Sequence, residues 1–205
     1  MNLTRWLKAR RKFVGLAAAL GARLCLPGMS RAEAPAHKSV EVVFVLDTTG
    51  SMGGLLQGAK DKIWSIANEI AKGKPTPKVR MGIVAYRDRG DEYVTKDFDL
   101  TTNLDAMYKN LLTLKADGGG DTPEHVLKGI QDAVEKMSWS KNKDTFRVVY
   151  LVGDAPAHTN YGDTPTFEQL AQAALKKGVV INAIECGNDP QAAAQWQQLA
   201  KLGEG

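Results

Sequence analysis

Asp47, Thr49 and Ser51 fall in one run, Asp47-Thr48-Thr49-Gly50-Ser51, and Thr122 and Asp154 stand far along the chain in Gly-Asp-Thr-Pro and Gly-Asp-Ala-Pro contexts. Together they offer two carboxylates and three hydroxyls, all hard oxygen donors. Such a set suits Mg²⁺ or Ca²⁺, with Mn²⁺ also acceptable, whereas zinc would call for His or Cys. Thr49 and Ser51 lie two apart in a loop, so both can turn towards an ion that Asp47 also approaches. Two carboxylates leave a divalent ion electrophilic, with a position open for water or an outside carboxylate.

These residues converge only if the right elements carry them. Residues 40–46 (VEVVFVL) form a nearly continuous apolar run, the mark of a strand buried on both faces. Apolar residues at helical spacing predict a helix over 52–73, ended by Gly73 and Pro75. Strand 79–86 follows, then a more polar edge strand over 93–100, antiparallel to it through a turn at 88–91. A short helix is expected over 104–114. Pro123 opens another, with Val126, Leu127, Ile130, Val134 and Met137 on one face. Residues 146–152 and 179–184 read as strands, 167–177 and 190–202 as helices. Repeated strand–helix units with uniformly apolar strands imply an α/β, doubly wound, mostly parallel sheet with helices on both faces. Ligands of such sheets bind at the C-terminal ends of the strands. Asp47 and Asp154 follow the first and third of the buried strands, and Asp121-Thr122 starts a helix facing the same rim.

Charge separates the chain into two parts. Seven of its 27 Lys/Arg lie in residues 1–34 beside one acid, which leaves 20 basic against 22 acidic residues in the rest. A mildly acidic body excludes nucleic acid as the expected partner. Two cysteines exclude a disulfide scaffold, a four-ligand zinc centre and an iron–sulfur cluster. The basic start, the apolar run 13–26 and the small residues Ala32 and Ala34 read as an export signal and short linker over 1–36, with the folded domain over 38–205. Arg10-Arg11-Lys12-Phe13-Val14 resembles a twin-arginine signal. The apolar run is too short for a permanent membrane span, so the expected location is periplasmic or extracellular, in a bacterium.

Asp47-x-Thr49-x-Ser51, Thr122 and Asp154, in that order on this strand–helix plan, resemble the metal-ion-dependent adhesion site of von Willebrand factor type A domains. Thr49 replaces the usual Ser and keeps its oxygen. The stretches YRDRGDE, GGGDTPEHV and VGDAPAH look like the hemicentin-like, kinase-associated branch. The resemblance implies a Rossmann-like sheet with Mg²⁺ on its rim, held by hydroxyls of Thr49, Ser51 and Thr122 and by Asp47 and Asp154 directly or through water. It implies a protein partner whose Asp or Glu completes the shell, and no catalysis. It also implies a last strand after the Leu199–Gly205 motif. The sequence ends at Gly205, so the expectation is either a fragment or a sheet one strand short.

Other readings compete. Asp47 and Ser51 can cap the long helix, and Thr122 the helix after it. Asp121 is equally a turn residue or a supporting acceptor. Arg87 and Asp88 are expected in a solvated turn and His158 on ordinary surface. Trp64, Trp139 and Trp196 read as packing on helices, and Cys186 as a buried small apolar residue. A haloacid-dehalogenase-type phosphatase also places Asp and Mg²⁺ after its first strand, but Thr49 stands where its proton-donating acid belongs. A subunit that acts on an ATPase or chelatase would share the metal site and differ in partner.

Overall fold

The computed structural model describes residues 39–205, so the expected export signal over 1–36 lies outside the described residues. Five strands form one sheet: β1 (Ser39–Asp47), β2 (Lys78–Tyr86), β3 (Thr95–Thr101), β4 (Thr145–Gly153) and β5 (Val179–Glu185). Their order is β3-β2-β1-β4-β5, with β1 central. β1 pairs in parallel with β2 and β4, β4 with β5, and β3 runs antiparallel, against β2. Among the described residues, five α-helices cover the sheet: α1 (Leu56–Ala71), α2 (Leu104–Thr113), α3 (Val126–Glu135), α4 (Phe167–Lys176) and α5 (Pro190–Leu202).

The apolar strand runs are explained by burial from two sides. Side chains alternate along a strand, so Val42, Phe44 and Leu46 of β1 join Met81, Ile83, Val148 and Tyr150 in the layer under α1 and α2. Val43 and Val45 join Val84, Val149 and Leu151 under α3, α4 and α5. Every residue from Val42 to Leu46 is fully buried. Trp196 of α5 packs inside the second layer, and Trp64 of α1 lies 4.3 Å, centroid to centroid, from Tyr108 of α2. Both bear out the packing role expected of the tryptophans. Cys186 is only partly buried, packed against the edge of the first layer.

Two element boundaries depart from expectation, and both shape the rim. The long helix begins at Leu56, preceded by a 3-10 turn over Gly50–Gly54. The helix expected from Pro123 begins at Val126, because the backbone of Glu124 is taken up by a parallel bridge to Ala157. Glu124 N–H donates to Pro156 O at 2.9 Å and His158 N–H to Glu124 O at 2.9 Å. At the open edge of β5, Glu204 forms a single parallel bridge with Ile181.

Candidate functional site

Asp47 ends β1 and is fully buried at the C-terminal rim of the sheet. Its Oδ1 accepts from Thr49 N–H at 2.9 Å and from the Thr49 hydroxyl at 2.7 Å, and its Oδ2 from the Tyr86 hydroxyl at 3.2 Å. Thr49 Oγ1 lies 3.1 Å from Ser51 Oγ. Ser51 Oγ in turn donates to Asp154 Oδ1 at 2.9 Å, just past the end of β4. The ends of two strands far apart in sequence are therefore joined by one continuous row of oxygens.

The row has a proton deficit. Each hydroxyl carries one proton. The Thr49 proton goes to Asp47 and the Ser51 proton to Asp154, so with both carboxylates ionised the Thr49–Ser51 contact holds two oxygens and no hydrogen. Burial pushes the Asp47 carboxyl up to about 6, opposed by the bonds from Thr49 and Tyr86 and reinforced by the charge of Asp154. Among the described residues no Lys or Arg pairs with Asp47 or Asp154. Lone pairs facing one another without a cation are what a divalent ion relieves, and an all-oxygen set fits Mg²⁺.

Helix capping does not account for these groups. The 3-10 turn, α1 and α3 all start without a side-chain capping bond. The close approach of Asp47 depends instead on Gly153. A Cβ there would lie 2.6 Å from the Tyr86 hydroxyl oxygen and 2.7 Å from Asp47 Cβ.

Thr122 is exposed in the glycine-rich loop, and no hydrogen bond joins it to the other four among the described residues. Its loop is nevertheless clamped to the rim. Gly50 N–H donates to Gly118 O at 3.0 Å, Asp117 N–H to Thr48 O at 3.1 Å, and Gly119 N–H reaches both oxygens of Asp91. Gly119 has φ +71, and a Cβ on it would meet Glu124 Oε1 at 2.8 Å and Thr49 Cβ at 3.1 Å. The loop can lie this close over Thr49 because glycine occupies that position.

With this geometry in place, the sequence profile of the von Willebrand factor A domain matches residues 41–201. The chain belongs to the von Willebrand factor A domain family. Alpha-protein kinase vwkA of Dictyostelium discoideum is 26% identical over 133 residues, 60% of this chain and 19% of that protein. Human von Willebrand factor A domain-containing protein 7 is 36% identical over 91 residues, 44% of this chain and 10% of that protein. The chain thus spans less than a fifth of the length of these curated relatives. Among solved structures, proximal thread matrix protein 1 from the mussel byssus, with a zinc-occupied MIDAS motif, is similar with a TM-score of 0.63 at 18% identity. That match covers 80% of this chain and 40% of the mussel protein.

The von Willebrand factor A fold also buries groups that sequence reasoning assigns to solvent. Arg87 and Asp88 are each 4% exposed rather than solvated. Arg87 donates to Thr48 O at 3.1 Å and to Lys115 O at 3.0 Å, with its guanidinium 4.5 Å from the Tyr93 ring centroid. His158, expected on the surface, is 8% exposed, because its ring stacks on Tyr161 at 4.3 Å. Sequence reasoning gives no role to Tyr86 or Glu124. Glu124 is buried beneath the glycine loop, its Oε2 without a hydrogen-bond partner among the described residues. Burial, with the charges of Asp47, Asp88, Asp91 and Asp121, pushes its carboxyl up to about 8. The one available signal is its place in Pro-Glu-His, directly after the expected ligand Thr122.

Proposed function

We propose that this von Willebrand factor A domain is a non-catalytic binding module that captures a partner protein through one divalent cation, Mg²⁺ in the first instance. Asp47, Thr49, Ser51 and Asp154 would hold the ion, with Thr122 added from the clamped loop. The ion would supply positive charge to a row that has none of its own, and an Asp or Glu of the partner would fill its remaining position. The observation that carries this reading is the proton deficit of the Asp47–Thr49–Ser51–Asp154 row. It has three oxygen contacts, two protons and, among the described residues, no cationic side chain paired with it.

The chain's own residues divide the work. Asp47, fixed by Thr49 and Tyr86, supplies a buried charge whose position is set before any ligand arrives. Asp154, partly exposed, supplies the second charge at the mouth. The hydroxyls are neutral donors, so they hold the ion without quenching its attraction for an outside carboxylate. Thr49 stands two residues after Asp47, where a phosphatase of the haloacid dehalogenase type would carry its proton-donating acid, which is why binding and not hydrolysis is proposed. Export through the twin-arginine route to the periplasm or cell exterior belongs to the same proposal.

Titration calorimetry with Mg²⁺ and Mn²⁺ tests the metal site. Asp47→Ala and Asp154→Ala should weaken binding more than Thr49→Ala, because each removes a charge and Thr49→Ala removes a neutral donor. No detectable heat from the folded wild type at millimolar ion would sink the proposal.

A further inference from the structure

Beside the row lies a second group of side chains that it does not use. Asp88, Asp121 and His158 each bring one ligand-type atom to within 4.8 Å of the other two. Asp88 comes from the loop after β2, Asp121 from the glycine-rich loop and His158 from the loop after β4. We propose that these three residues form a second divalent-cation site, with the mixed nitrogen and oxygen donors that suit Zn²⁺ better than Mg²⁺. The two sites share no ligand, and this one stands whether or not the first binds metal.

The state of His158 points to a ligand. Its Nδ1 lies 2.9 Å from Asn160 Oδ1, an acceptor, so Nδ1 carries the proton. In the neutral ring that leaves Nε2 with a bare lone pair. Nε2 is buried, has no hydrogen-bond partner among the described residues and stands 3.5 Å from Asp88 Oδ2. A lone pair facing a carboxylate at that distance is relieved by positive charge between them, either a proton or a metal ion, and the third ligand-type atom from Asp121 favours the metal ion. An outer oxygen that takes the second ring N–H is also the usual support for a zinc-binding imidazole, since it fixes the tautomer and aims the other nitrogen.

The remaining contacts orient the set without neutralising it. The Tyr161 hydroxyl lies 3.0 Å from both oxygens of Asp88, and the His158 ring stacks on the Tyr161 ring. Arg89 is the nearby cation, but it is engaged elsewhere. Its guanidinium lies over the Tyr161 ring at 3.9 Å and pairs with Asp163. Two carboxylates and one imidazole would balance a divalent ion's charge and leave one or more positions for water. Asp121 is exposed, so an ion can enter from solvent at that side.

Zinc titration of the whole chain, with equivalents counted by calorimetry, tests the site. With saturating Mg²⁺ present to fill the first site, the wild type should still bind one equivalent of Zn²⁺. His158→Gln should lose that equivalent or weaken it by at least ~100-fold, above the roughly 10–100-fold that loss of a mere supporting residue costs. Asp121→Asn, at an exposed position where folding is not at stake, should do the same. Asp154→Ala should leave it intact, which separates failure of this site from failure of the first. If both His158→Gln and Asp121→Asn bind as many zinc equivalents as the wild type, with equal affinity, His158 and Asp88 form an ordinary ion pair and the proposal is overturned.

Discussion

Replacing Asp47 by Asn should make the metal-free protein more stable while destroying the proposed first metal site. Asn is the same size, and its oxygen can accept the two bonds from Thr49 that Asp47 Oδ1 accepts. What the substitution removes is a charge held out of water. Burial raises the Asp47 carboxyl from the usual 3.8 to about 6. A pKa difference of one corresponds to about 1.4 kcal/mol, so ionising Asp47 in the folded chain costs about 3 kcal/mol more than in the unfolded one. Between pH 3.8 and about 6 the folded state holds a proton that the unfolded state has released. This contribution to stability is therefore fully present below the lower value and is lost as pH rises through the upper one. The amide of D47N cannot titrate, so in chelator at pH 8 the variant should exceed the wild type by about 3 kcal/mol, or ~6–12 °C in Tm for a domain of this size. At about pH 3.5, below both values, the two should coincide. A saturating ion at about 100 times its Kd would add about 3 kcal/mol to the wild type alone and close the gap. Urea denaturation across this pH range, with and without Mg²⁺, measures all three arms. A variant no more stable than the wild type at pH 8 in chelator would refute the charge argument.

Two further outcomes are expected. Arg87→Met keeps most of the buried aliphatic volume but leaves the carbonyls of Thr48 and Lys115 without their charged donor, so it should cost ~3 kcal/mol in urea denaturation and loosen the rim. Replacing Arg10 and Arg11 together by Lys should trap the precursor in the cytoplasm, as read by fractionation, and undiminished export would refute the twin-arginine route.

The fold is legible in the sequence because its signals are local. Apolar runs such as 40–46 and 146–152 can be satisfied only by burial on both faces, and the helical spacing of Leu56, Ala59, Ile63 and Ile70 marks which face of α1 must be covered. The rim is legible in part for a similar reason. Asp47, Thr49 and Ser51 are neighbours in sequence, and Asp154 sits at the end of a recognisable strand. Where the reading fails, distant chain decides. Pro123 is well suited to begin a helix, but Glu124 finds a backbone partner in Ala157 and the helix waits until Val126. Asp88 looks like a solvated loop residue because Tyr161, which covers it, lies far along the chain, and Arg87 and His158 do so because the folding back of their own loops, which brings Tyr93 and Tyr161 over them, is set by tertiary packing.

Arg87 has a further consequence, for time rather than affinity. One guanidinium ties the end of β1, through Thr48, to the segment entering the glycine-rich loop, through Lys115. The loop is then held again at Gly50 and Asp91. With the backbone so fixed, little would be left to rearrange on binding of the proposed ion, and the slow step would become the ion's own loss of water. Mg²⁺ gives up its hydration reluctantly. The rate at which this rim loads would then be a property of the ion in solution, nearly independent of chain motion, and a cation that sheds water faster would arm the same site sooner without altering a single protein contact.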